Sequence, residues 1–226
     1  MPDDRQVNAD VVLPSPYEGS AAWARVFPVL YEPSLWIGER RGLRALRREL
    51  LSRARGRTVE IGGGTGLNLP HYPAAVDELL LIEPDAGMRD RLERRLEESP
   101  LRARAVDAPA EVLPFADGSV DTVVSTLVLC TVDDPAGALH EIRRVLRPGG
   151  QFLFLEHVRA SSPALARWQD RLEEPWRHFG RNCRCNRAIG EMISASGLSI
   201  TDLRTETWRA MPPIVRPLIV GQARHV

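Results

Sequence analysis

Thr58-Val-Glu-Ile-Gly-Gly-Gly-Thr-Gly-Leu-Asn-Leu69 decides how this 226-residue chain is read. Val59 and Ile61 belong to a short apolar run, the mark of a buried strand. Gly62, Gly63, Gly64 and Gly66 then crowd into a turn, and Leu67, Asn68 and Leu69 read as a first helical turn stopped early by Pro70. A strand feeding a glycine turn and a helix start makes a bed for a small ligand, because glycine lets the backbone come close and adopt positive φ. The spacing is G-x-G-x-G, with Leu67 where a dinucleotide binder has its third glycine. No Gly-Lys-Ser/Thr follows, so a phosphate loop is excluded. A second apolar run, Leu79–Ile82, ends in Glu83, about 20 residues beyond the first glycine, where an acidic side chain holds ribose hydroxyls. The combination predicts an adenosine-type ligand without a pyrophosphate.

Further along the chain stand Glu83-Pro84-Asp85, Asp107-Ala108, Leu113-Pro-Phe-Ala-Asp-Gly-Ser-Val-Asp121 and Leu146-Arg-Pro-Gly-Gly150. Together with Glu60-Ile-Gly-Gly-Gly-Thr-Gly66, these motifs resemble, in order and spacing over roughly residues 58–157, the class I S-adenosylmethionine (SAM)-dependent methyltransferases. The resemblance implies a Rossmann-like α/β fold with a seven-stranded, mostly parallel sheet, helices on both faces, an antiparallel last strand and an N-terminal helical cap. It implies SAM as cofactor and S-adenosylhomocysteine as product. Gly62, Gly63, Gly64 and Gly66, with Leu67 and Asn68, would shape the methionine-side loop, and Glu60 would help position it. Glu83 and Pro84 would meet the ribose, Met88 the adenine, Asp107 and Ala108 the adenine edge. Thr126 and Leu127 would lie under the ligand.

Composition narrows the class. Thirty basic residues balance thirty acidic ones, which argues against a dedicated nucleic-acid binder, since neutralising phosphates needs a basic excess. No run reaches the roughly 18 apolar residues of a membrane helix, and no signal peptide is visible. Three cysteines do not make a disulfide framework. The expectation is a cytoplasmic enzyme, monomer or homodimer, acting on a small-molecule acceptor without a membrane span. Cys183-Arg-Cys185 has no second Cys/His pair at ligand spacing, so no metal is expected and the thiols are read as free. Cys130 closes an apolar run and reads as core.

One domain is expected over 1–226: an arm and helical lid to residue 56, a SAM-binding core over 57–157, and an insertion with the acceptor-side half over 158–226. Tyr17, Trp23, Phe27, Tyr31 and Trp36 gather many of the few aromatics ahead of the first strand. Trp23, Phe27 and Leu30 fit one helical face. That segment either packs on the sheet edge or covers the acceptor mouth, and Tyr17, Trp23, Phe27 and Tyr31 are its candidate acceptor contacts. Glu39–Ala54 reads as an amphipathic helix with a Leu43, Leu46, Leu50, Leu51 stripe and solvated arginines. Helices over Asp85–Glu97, Ala136–Leu146 and Asn186–Ser196 alternate with strands over Arg102–Val106, Val120–Ser125, Gln151–Glu156, Leu198–Leu203 and Ile214–Gln222. Pro148-Gly149-Gly150 reads as the turn before the fifth strand. Ser161–Cys185 breaks the rhythm and reads as a helical insertion near the site, with His178 as a candidate pocket residue.

For the acceptor, Ser125-Thr-Leu-Val-Leu-Cys130, Phe154-Leu-Glu-His-Val158, Arg167-Trp-Gln-Asp170, the segment around Cys183–Arg187 and Arg216-Pro-Leu-Ile-Val-Gly221 look like the methyltransferase-like family of small-thiol S-methyltransferases and their bacterial relatives. This extends the resemblance to roughly residues 57–223. It implies S-methylation of a small or hydrophobic thiol, and by extension the dithiol of a disulfide-containing natural product in a bacterial setting. A thiol needs little base assistance, because its pKa lies near 8.5. His157, after Glu156 at the end of the fifth strand, is the candidate base, with Glu156 orienting it or facing the substrate; a packing role for His157 stays open. Quinone, lipid or other small-molecule C-, O- or N-methylation is the second reading. A SAM-binding regulator without catalysis is the third.

Overall fold

The structure is a computed structural model that describes residues 21–226, with side chains from Arg25 onward. Seven strands form one sheet in the order β3-β2-β1-β4-β5-β7-β6. They are β1 (Gly56–Ile61), β2 (Val76–Ile82), β3 (Ala103–Val106), β4 (Val120–Thr126), β5 (Leu146–His157), β6 (Ser199–Thr207) and β7 (Pro217–Arg224). The first five pair in parallel, and β7 runs antiparallel to both β5 and β6.

The central strands are apolar on both faces, as a sheet covered on both sides requires. Phe152 and Phe154 of β5 join Val59, Ile61, Leu80, Ile82 and Val123 in one core. That core is closed by α4 (Pro135–Val145) and α6 (Ile189–Ala195). Leu153 and Leu155 point the other way and join Leu79, Leu81 and Val124. The cover there is Leu35 of α1 (Ala21–Gly38), Leu50 and Leu51 of α2 (Arg44–Leu51), Leu92 of α3 (Ala86–Glu97) and Trp208. The strand order reverses between β1 and β4, so a crevice opens beyond their carboxyl ends.

Several local expectations are corrected. The helix expected over Glu39–Ala54 is divided. A π-turn over Glu39–Leu43 joins α1 to α2, with Gly42 at φ 137°, a conformation only glycine adopts easily. The helical turn expected over Leu67–Leu69, stopped by Pro70, is a single 3-10 turn over Leu69–His71 that contains Pro70. Pro70 sits in the first positions of that turn, where its missing amide costs nothing, and Pro73 ends the turn by holding Tyr72 extended at ψ 134°. Pro148-Gly149-Gly150 lies within β5, which starts at Leu146 and carries an irregularity opposite Val120/Thr122. The expected insertion is a continuous helix, α5 (Pro163–Phe179), containing Pro175. On α1 the buried stripe is Pro28 and Leu35 with half-buried Phe27 and Tyr31, whereas Leu30 is exposed. Tyr17 lies outside the described residues, as does the side chain of Trp23. Among the described residues no helix is long and apolar enough to cross a membrane.

Candidate active site

The crevice is walled by Gly62, Gly64, Glu83, Pro84, Asp85 and Met88 on one side and by Thr126, Leu127, Val128, Thr131 and Val132 on the other. Phe27 and Tyr31 of α1 and Gly180 and Arg181 after α5 cover it. Its inner end runs under Tyr31 to Arg47, Glu60, Asn68 and Thr126.

The glycine loop gives the crevice its shape. Gly62, Gly64 and Gly66 take φ of 61°, 56° and 85°. A Cβ on Gly64 would meet only the Gly62 carbonyl oxygen, at 3.9 Å, so the loop leaves open space there. Gly63 and Gly66 turn inward instead, against Leu81 and Leu92. Glu83 sits at the end of β2, 5 % exposed. Its carboxylate accepts from the Gly64 amide at 2.8 Å and the Asp85 amide at 2.9 Å. Burial outweighs those two bonds and lifts its pKa to about 7.

A buried polar network floors the inner end. Glu60, 1 % exposed, accepts from the Tyr72 hydroxyl at 2.6 Å and from Asn68 Nδ2 at 2.9 Å, and burial lifts its pKa to about 7. Arg47 Nη1 donates to Asn68 Oδ1 and Thr126 Oγ1, and Arg47 Nε to Glu39 at 3.0 Å. Arg47 is therefore no solvated arginine. It lies four residues after Leu43 and four before Leu51, so the same helical spacing that marks the leucine stripe places it on the buried face. That spacing was the available signal.

Other sequence candidates fall elsewhere. Asp107 is turned out to solvent and pairs with Arg89 at 2.8 Å, while Ala108 packs into the core; Pro109, Ala110 and Glu111 reach the crevice in their place. Glu156 is fully buried. It accepts from the Ser125 hydroxyl at 2.5 Å and from the Val128 amide at 3.1 Å, with the Leu129 and Cys130 amides adding to the set. Burial lifts its pKa to about 7. It thus pins the loop after β4, in which Leu127 holds a left-handed φ of 62°. His157 points to the opposite face of the sheet, stacked 5.3 Å from Trp208 and buried, with its pKa pushed down to about 4. His178 is exposed and bonds to the Glu174 carbonyl. Neither histidine lines the crevice. Sequence alone also passed over Arg181, which pairs with Asp85 and lies over the Phe27 ring at 5.3 Å.

A Methyltransferase domain family model matches residues 59–154. The human thiol S-methyltransferase TMT1B is 35 % identical over 199 residues, 81 % of this chain and 80 % of that protein. The chain belongs to the class I SAM-dependent methyltransferases. Among other relatives, phosphatidylethanolamine N-methyltransferase of Cereibacter sphaeroides is 34 % identical, over 52 % of this chain and 62 % of its own length. The crystal structure of a Thermotoga maritima SAM-dependent methyltransferase, a possible histamine N-methyltransferase, shares the fold. Its TM-score is 0.66 at 22 % identity, over 90 % of this chain and 100 % of that one. The methyltransferase cofactor, SAM, fits what the crevice offers: a loop with no Cβ at Gly64, a buried carboxylate beside it, and a cationic, amide-rich floor at Arg47 and Asn68.

Proposed function

We propose that this methyltransferase transfers the SAM methyl group to the sulfur of a small, hydrophobic thiol. The extent of the likeness to the thiol S-methyltransferase carries the reading. A match covering 81 % of this chain necessarily extends into the segments on both sides of residues 59–154 and takes in Arg181 at the crevice. The match to the lipid N-methyltransferase, 128 residues, requires far less of them.

SAM supplies an electrophilic methyl on a sulfonium. The chain's own part is positioning and exclusion of water. Glu83 would bind the ribose hydroxyls, with Met88 and Pro84 beside the base. Arg47 would face the carboxylate of the methionine end, exchanging its contact with Glu39 for it. Thr126 and Leu127 would form the floor beneath the reacting carbon. Phe27, Tyr31 and Val132 would give the acceptor an apolar channel. Burial holds the Tyr31 hydroxyl up at about 12, so at neutral pH it donates rather than accepts a proton. A thiol, which ionises near 8.5 unaided, suits a crevice lined by no histidine among the described residues. Its proton leaves to water before transfer.

The test is SAM-to-S-adenosylhomocysteine turnover across a panel of alkyl and aryl thiols, dithiols, amines, phenols and quinols. Thiol-confined turnover, with a rate that rises with pH along the acceptor's own ionisation, is expected. Turnover on quinols or an aminolipid instead would replace this reading with the second one. SAM binding without turnover on any acceptor would favour the regulator.

A further inference from the structure

Cys130 and Cys183 lie 53 positions apart in sequence, yet their sulfurs approach to 3.7 Å in a small core of their own with Cys185, Ile214 and Val215. Each belongs to a segment that lines the crevice. Thr131 and Val132 follow Cys130 on the wall, and Gly180 and Arg181 precede Cys183 on the cover. The backbones are already held together. The Arg184 amide donates to the Cys130 carbonyl at 2.7 Å, and Asn182 Nδ2 donates to the Thr131 carbonyl at 2.6 Å. Arg187 Nη1 donates to the Leu129 and Val132 carbonyls, both at 2.7 Å.

We propose that Cys130 and Cys183 are a redox modification site: a low-molecular-weight disulfide such as oxidised glutathione converts them to an internal disulfide that fastens the Gly180–Cys183 cover to the wall of the crevice. The sulfur pair closes from 3.7 Å to a bond of about 2.05 Å, and because both thiols are buried, glutathione reaches Cys183 when the Gly180–Cys183 segment opens. The hydrogen bond shared by the thiols holds Cys183 below its ordinary value and Cys130 above, which makes Cys183 the attacking sulfur. The Cys183 thiolate attacks one glutathione sulfur, forming a mixed disulfide and expelling a glutathione thiolate. Cys130 then attacks Cys183 Sγ and expels the second glutathione. The two cysteine protons go to the two leaving thiolates, so one dithiol is oxidised and one disulfide reduced. Cys185 stays out of this exchange, since the close sulfur contact of Cys183 is with Cys130.

The site lies outside the methyl-transfer chemistry, so its test needs no acceptor. The purified full chain is equilibrated with glutathione at graded oxidised-to-reduced ratios, quenched in acid, unfolded, alkylated with iodoacetamide and mapped by mass. A Cys130–Cys183 cross-linked peptide about 2 Da lighter than its two halves is expected, with Cys185 alkylated, and dithiothreitol should reverse it. The bridged protein should melt higher by roughly 5 °C or more. Cys185→Ser should keep both results and Cys183→Ser should lose both. Alkylation of both Cys130 and Cys183 under the most oxidising ratio, or a bridge confined to Cys183 and Cys185, would overturn the proposal.

Discussion

Glu83 and Glu156 make the same kind of residue at the same kind of place: a carboxylate at the carboxyl end of a central parallel strand, buried, with its pKa raised to about 7. They do different work. Glu83 accepts two amides, from Gly64 and Asp85, and lines the crevice. Glu156 is encircled by a hydroxyl and three successive amides and does not line it. The Gly62–Glu83 wall thus presents a carboxylate to the crevice, whereas Glu156 holds the loop after β4. The difference lies in how many protein donors each carboxylate meets. A carboxylate with its lone pairs filled from its own chain has nothing left for a substrate.

The sharpest way to break this comparison is Glu156→Ala. Removing the acceptor leaves the Ser125 hydroxyl and the amides of residues 128–130 buried without a partner, each an uncompensated loss. Denaturant unfolding should show a loss of roughly 3 kcal/mol or more. A variant that keeps its stability and loses only turnover would put Glu156 back at the substrate.

Glu83→Ala should act in the other column. SAM affinity by calorimetry should fall about 10- to 100-fold, as expected for the loss of a charge-assisted bond to ligand. Stability without ligand should change far less than in Glu156→Ala. Unchanged SAM affinity would remove the ribose assignment.

The smallest effects concern pH, and here the buried carboxylates act together. Glu60, Glu83 and Glu156 titrate near 7 when folded against an ordinary 4.5. The fold therefore favours their protonated forms: that contribution is complete below about pH 4.5 and is lost as pH rises through 7. His157 runs the opposite way. Its folded value of about 4 lies below the ordinary 6.5, so its contribution is complete above pH 6.5 and is lost as pH falls through 4. The ligand-free protein should accordingly melt higher at pH 6 than at pH 8. His157→Phe should flatten only the acid side of that profile and leave the shape of the turnover–pH curve unaltered. A turnover curve that loses an ionisation in His157→Phe would restore this histidine as the base.

Much of the Gly62–Glu83 wall was legible in the chain itself. Gly62 to Gly66, the strand before them and Glu83 after them lie within the 28 residues Gly56–Glu83, so their relation is fixed by local geometry: a strand, a turn and a neighbouring parallel strand. The alternation of strands and helices was legible for the same reason, whereas the antiparallel last strand was implied only by the family resemblance. Arg47 was legible in principle, since helical spacing alone sets its face, but charge made it look solvated. Asp107 shows the limit of a motif position: it stands at the expected place after β3, yet Arg89 draws its side chain outward.

The wall after β4 and the cover over it were decided by contacts between distant segments. The sequence determined that β5 ends in Glu156-His157, and hence that the two side chains face opposite sides of the sheet. Only the tertiary structure decided that one face holds the amides of residues 128–130 and the other holds Trp208. It likewise decided that Cys183 meets Cys130 rather than Cys185, and that Arg181 reaches Asp85 across the crevice. Local pattern fixes which way a side chain points; what waits there is supplied by segments dozens of residues away, brought in by burial of the two apolar faces of one sheet.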